Sequence, residues 1–145
     1  RNIKFEDTNH NMILSGIHDD LWENKDTGEV VLADYKATST QKNINIFITY
    51  KWQMDFYYWL LKKVGMNVSK ECYFVYANAD RYKDRFDATM HFKMSLKKYE
   101  ADDSWVDSTL VKIRKTLDSD KIPESYEECK NCNYVKEING VDISI

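Results

Sequence analysis

The run "ITYKWQMDFYYWLLKKV" at residues 48–64 constrains the fold most, because strand-length apolar bursts lie on either side of it. Trp52, Phe56, Trp59, Leu60 and Lys63 recur at helical spacing and Gly65 supplies a stop, which predicts a helix over 48–64. Upstream, "MILSGIHDDLWE" and "GEVVLADYKATS" are rich in Val, Ile, Leu and Trp and are separated by the turn formers "NKDTG", the pattern of a β-hairpin. A polar loop, "TQKNINIF", joins the hairpin to the helix. Downstream, "ECYFVYANA" is a continuous strand-length burst, and "RFDATMHFKMSL" alternates Phe86, Ala88, Met90, Phe92 and Met94 with polar neighbours. A second helix is predicted in "DSWVDSTLVKIRKTLDS", where Trp105, Leu110, Ile113 and Leu117 form one stripe and Asp102 to Ser104 offer N-caps. The segment 119–145 holds the only proline and reads as a loop-rich tail. No repeat or linker splits the chain, so one α/β domain over residues 1–145 is expected.

Inside "ADYKA", alternation puts Asp34 and Lys36 on one face of a strand and Tyr35 on the other. If the turn is centred between Asp26 and Thr27, Asp19 falls opposite Asp34. Like charges at about 4.5–5.5 Å between Cβ atoms are destabilising, so something positive should sit between them. A bulge at Gly28 would instead send Asp19 to the other face. In the first register, two carboxylates and a nearby backbone carbonyl make an all-oxygen site suited to Mg²⁺ or Mn²⁺. Lys36 beside it could orient water or stabilise charge building on a phosphoryl group. The bare D-x-K triplet by itself is far more often a solvated face with a surface ion pair. The ordered set of "GIHD", "DYK" and "QMDFY" is more specific, because Gln53 and Tyr57 lie at i and i+4 on one helix face.

That set, G-x-x-D then D-x-K then Q-x-x-x-Y, resembles the RecB-like branch of the PD-(D/E)XK nuclease superfamily, from about Gly16 to Tyr134. The resemblance implies a restriction-endonuclease-like α/β core with a mixed β-sheet flanked by helices. It implies metal-dependent hydrolysis of DNA phosphodiester bonds, with exonuclease action suggested by relatives. Asp19 and Asp34 would correspond to metal-binding carboxylates, the Tyr35 carbonyl to a further ligand and Lys36 to the catalytic lysine. Gln53 and Tyr57 would correspond to the third motif, which flanks the site. Many members carry a histidine on an upstream helix, and His10 in "DTNHNM" is a poor match for it. Asp20 stands where relatives often have a basic residue and reads as a solvated strand residue, while His18 reads as a packing or surface histidine. Some relatives hold an iron–sulfur cluster through four cysteines. Here Cys129 and Cys132 form a Cys-x-x-Cys, but no third cysteine follows them, none precedes Gly16 and Cys72 sits in an apolar strand, an incomplete set that argues against a cluster.

The net charge of −3 excludes a generally basic nucleic-acid-coating protein but not a local site. Three cysteines are too few for a disulfide framework and favour a reducing, cytoplasmic setting. No run approaches the ~18–20 apolar residues of a membrane span. The aromatics of "FYYWLL" read as core, Tyr57 excepted, and Lys97, Lys98, Lys112 and Lys115 as solvated faces with phosphate contact as the alternative. Because the chain opens on "RNIKFEDT" without a methionine, a piece of a longer polypeptide is also expected, with DNA and other parts of a helicase–nuclease or recombination complex as partners. The rival reading is a catalytically silent nuclease-like module that binds nucleic acid or a partner protein.

Overall fold

The computed structural model describes residues 2–81 and 87–139. By its internal contacts the chain divides into two compact units, Arg1–Asp107 and Ser108–Ile145. The first holds β1 (Asn2–Asp7), β2 (Met12–Ile17), β3 (Asp20–Glu23), β4 (Val30–Thr38), α1 (Ile48–Lys63), β5 (Glu71–Ala79) and β6 (Phe92–Glu100). Helix α2 (Val106–Leu117) starts at its end, and the second unit adds α3 (Lys130–Asn139).

Strands β3 to β6 form one mixed sheet in the order β3-β4-β5-β6. Its outer pairs are antiparallel and β4 pairs with β5 in parallel. Parallel neighbours cannot be joined by a tight turn, so the chain needs a crossover, and α1 supplies it. The predicted helix is therefore the connection that makes the sheet mixed. Of its expected stripe Trp59 and Leu60 are buried while Trp52 is 52% exposed, and Met54, Tyr58 and Leu61 complete the buried side. Met54, Tyr58 and Leu61 pack with Leu32, Cys72, Phe74, Tyr76 and Ala101 as the core. Complete burial of Leu32, Met54, Leu61 and Phe74, at about 1.5–3 kcal/mol each, can outweigh the several kcal/mol that one buried, ion-paired carboxylate costs. Asp34, 3% exposed in the middle of β4, is that carboxylate.

The β3–β4 pairs run from Glu23↔Val30 to Asp20↔Ala33, the register expected for a turn centred between Asp26 and Thr27. Gly28 takes φ +69° within that turn, a left-handed conformation that costs glycine nothing, and the register does not shift. The upstream strand is not continuous, however. β2 pairs with β1 as a separate hairpin, and the chain breaks at His18 and Asp19 before β3 begins. His18 is 5% exposed at this break, a buried residue rather than a surface one. The lead-in read as a loop around His10 is the turn of the β1–β2 hairpin, where His10 Nδ1 lies 2.7 Å from Asp7 Oδ2.

The later chain departs from expectation in three ways. Strand β6 starts at Phe92; Phe86 lies outside the described residues, and Ala88, at φ +60°, does not belong to an extended run. The alternating apolar residues also face away from the core: Phe92, Met94 and Leu96 are 51%, 58% and 54% exposed. Lys93, Ser95, Lys97 and Tyr99 pair with Asn78, Tyr76, Phe74 and Cys72 and so share the core side of β5. The segment read as loop-rich contains α3, whose first turn follows Cys129. Among the described residues no helix is long and apolar enough to cross a membrane.

Candidate active site

The break at His18 and Asp19 builds the first part of the site. Where the β3–β4 ladder ends, the Asp19 side chain takes a main-chain donor of β4: Tyr35 N–H donates to Asp19 Oδ2 at 2.8 Å. The Asp19 carboxylate is thereby fastened beside Asp34. Its charge pushes the Asp34 carboxyl up, adding to the larger effect of burial, while Lys36 acts in the other direction; the net shift is upward.

Lys36 is two residues on from Asp34 on the same face, and its Nζ lies 2.5 Å from Asp34 Oδ2. The contact is an ion pair without hydrogen-bond alignment, since Asp34 Oδ2 is buried and has no hydrogen-bond partner among the described residues. Lys36 Nζ does donate a hydrogen bond to Gln53 Oε1 at 3.1 Å, and it lies 4.5 Å from the centre of the Tyr50 ring. Gln53 Nε2 in turn donates to Tyr57 Oη at 3.1 Å, one helical turn along α1. Asp34, Lys36, Gln53 and Tyr57 therefore form one connected polar chain from the middle strand to the crossover helix. Gly16 completes the wall: a Cβ there would lie 2.7 Å from Tyr57 Cε1, so the ring occupies the space a side chain would need.

The donors present suit a hard divalent cation. The Asp19 carboxylate, just before β3, is fastened beside that of Asp34 on β4, and the buried Asp34 Oδ2 meets only the Lys36 ammonium among the described residues. They are few: among the described residues no group of three or more His, Cys, Asp and Glu is arranged to hold a metal. A cation here would rest on Asp19, Asp34 and main-chain or solvent oxygen, the arrangement Mg²⁺ tolerates.

Asp20 proves more than a solvated strand residue. Its Oδ1 accepts from Leu21 N–H at 2.9 Å, and its Oδ2 accepts from Trp22 Nε1 at 3.1 Å and Tyr35 Oη at 3.2 Å. It thus ties the start of β3 to β4 on the face opposite Asp34. Tyr50, Tyr76 and the steric role of Gly16 were also missed. Tyr50 is separated from the Q-x-x-x-Y motif by less than a helical turn, so spacing on α1 could have found it. Tyr76 could not have been found without the β4–β5 register. Cys129 and Cys132 lie at the start of α3, with Cys132 N–H 3.5 Å from Cys129 Sγ, whereas Cys72 is buried in the core of the first unit. Burial, reinforced by the charge of Asp55, pushes the Cys72 thiol up to about 12, far from the thiolate a metal needs.

The PD-(D/E)XK nuclease superfamily model matches residues 1–136. The chain belongs to this superfamily. Its mixed α/β architecture is that of the restriction-endonuclease-like core, and nucleases of this superfamily typically use divalent metals. A solved structure, "Crystal structure of SSO0001", is similar with a TM-score of 0.50 at 18% identity, over 95% of this chain and 57% of that one. At that identity the likeness speaks for the fold alone, and the chain spans little more than half of the other's length. No curated protein matches the sequence.

Proposed function

We propose that this PD-(D/E)XK chain is a metal-dependent DNA nuclease of the RecB-like branch, acting as an exonuclease. The observation that carries the reading is the connected chain from Asp34 through Lys36 and Gln53 to Tyr57, with Asp19 fastened beside it. A structural ion pair would not need this much support from a second element.

In this reading Asp19, Asp34 and the Tyr35 carbonyl hold Mg²⁺ or Mn²⁺, which when bound lowers the pKa of a water and offsets phosphoryl charge. Lys36 stabilises the negative charge that builds on the phosphoryl oxygens as water adds to phosphorus and the P–O bond to the leaving strand breaks. Gln53 positions Lys36 by accepting its hydrogen bond, and Tyr57 fixes the Gln53 amide so that its oxygen faces the lysine. The burial of Asp34 keeps solvent from screening these charges. A cytoplasmic DNA repair or recombination role, with other parts of a helicase–nuclease assembly as partners, follows from this reading.

The test is cleavage of end-labelled single- and double-stranded DNA with Mg²⁺, Mn²⁺ or EDTA, wild type beside Lys36→Ala and Asp34→Asn. Cleavage that needs metal and falls by about a hundredfold or more in both variants is expected. Retained cleavage in either folded variant, or none by wild type with any metal, would overturn the assignment.

A further inference from the structure

The face of the sheet that carries Asp34 and Lys36 does not end at Lys36. Register places Lys36, Tyr76 and Ser95 in one row across β4, β5 and β6, and Thr38, Asn78 and Lys93 in the next. Side chains of directly paired residues share a face, so both rows lie on the core side. A core face would be apolar here, yet all six residues are polar. Tyr76 Oη, Ser95 Oγ and Asn78 Oδ1 are buried with no hydrogen-bond partner among the described residues, and Tyr76 is only 3% exposed. Such atoms cost about 1–3 kcal/mol each when left unmet, so the rows are expensive unless something else meets them.

Beyond the second row lies an open pocket of about 420 Å³, lined among others by Thr40, Gln41, Asn78, Asp80, His91 and Lys93. Asn78 Nδ2 donates to Thr40 O at 2.9 Å, which fixes the amide with its oxygen left over. Lys93 is exposed and has no ion-pair or hydrogen-bond partner among the described residues. Its neighbour on the opposite face, Lys98, is instead paired with Glu71. Lys93 lies two residues along and two strands across from Lys36, roughly 12 Å between Cα atoms, a gap that the length of a lysine side chain narrows to the spacing of neighbouring phosphates.

We propose that this pocket binds the nucleotide next to the cleaved phosphodiester, with Lys93 holding its phosphate. The inference rests on the nuclease reading, because it takes the Asp34–Lys36 centre as the point of cleavage. The pocket supplies what that centre lacks: a cation free to meet a second phosphate, in a volume that suits a small ligand. Asp80 at the rim makes the pocket locally mixed in charge, so the phosphate belongs on the Lys93 side.

The test is binding of a fluorescent single-stranded oligonucleotide in EDTA, where metal-dependent cleavage is silent, by anisotropy at several salt concentrations. Lys93→Gln should weaken binding severalfold and reduce the slope of log K against log salt by about 0.7, one phosphate contact on a single strand. Lys98→Gln, from the opposite face, should change neither. An unchanged slope in Lys93→Gln, or equal losses in both variants, would overturn the proposal. The cleavage gel decides the nuclease reading separately: cleavage with an unchanged salt slope refutes the pocket alone, and no cleavage refutes the reading while the slope still decides whether the pocket takes a phosphate.

Discussion

A methyl group added at Gly16 would come within 2.7 Å of Tyr57 Cε1 and 2.9 Å of Cδ1, closer than real side chains approach. Something must move, and the Tyr57 ring is the atom group in the way. Tyr57 holds the Gln53 amide that accepts from Lys36, so the disturbance passes along hydrogen bonds of 3.1 Å each to the lysine. Gly16→Ala should therefore lower cleavage by about ten- to a hundredfold while leaving the far-UV circular dichroism unchanged. Full activity in that variant would show that the ring position is irrelevant. The carriers of this chain, Asp34, Lys36, Gln53 and Tyr57, were legible in the sequence because strand alternation and the i, i+4 rule each fix a face locally. Tyr76 and Asn78 were not legible, since each meets the site only through a pairing with a strand forty residues away in the chain. Asp20 was misread for a related reason: its acceptor role toward Tyr35 Oη exists only once β3 and β4 are in register.

Helix α1 is held to the sheet by one carboxylate as much as by its apolar stripe. Asp55, 3% exposed, accepts from Tyr99 Oη at 2.8 Å, from Asp102 N–H at 2.9 Å and from Trp105 Nε1 at 3.1 Å. Three elements of the first unit converge on it: β6, the turn after β6 and the approach to α2. Burial first, and then the bond to Asp55, keep the Tyr99 phenol protonated far above its usual range, so it remains a donor at any working pH. Asp55→Ala would strand three part-buried donors and should cost about 3 kcal/mol, seen as a fall in Tm on the order of 10 °C. A loss within about 1 °C would mean that water replaces the carboxylate. The β1–β2 hairpin has its own buried acid. Burial alone would push the Asp7 carboxyl up, but the side-chain and main-chain hydrogen bonds from His10 outweigh it and the net shift is downward. A carboxyl lowered in the folded state stabilises above its unfolded value of about 3.9 and loses that contribution as pH falls through the folded one. The Tm advantage of wild type over Asp7→Asn should thus shrink between pH 5 and pH 2.5, and a constant difference would rule the mechanism out. Element types were legible in advance wherever a period ran unbroken, as in α1 and β5. Among the described residues the expected alternating run becomes strand only from Phe92, with left-handed Ala88 ahead of it, and α3 was not legible because ten residues beside a Cys-x-x-Cys give little periodic signal.

At the scale of the molecule, the first unit sets Asp34, as buried as Asp55, against its own cation, Lys36, on the central parallel strand pair. The order of elements that does this, hairpin, crossover helix and returning strand, was readable as a sequence of types. Which face of β6 looks inward was not, because the apolar residues that suggested it lie on the exposed side. The ion pair has one consequence for how such a site fills. The protein carries an internal substitute for the divalent ion, so loading would be an exchange in which ammonium yields Asp34 to the incoming cation and retreats to Gln53 and Tyr50. On the nuclease reading proposed above, one lysine would be both competitor and catalyst, which sets affinity against turnover. Lys36→Ala should therefore take up Mn²⁺ more tightly than wild type, with its melting temperature rising at lower Mn²⁺ concentration, while cutting no DNA; weaker uptake would show that the lysine helps to recruit the ion and does not vie with it.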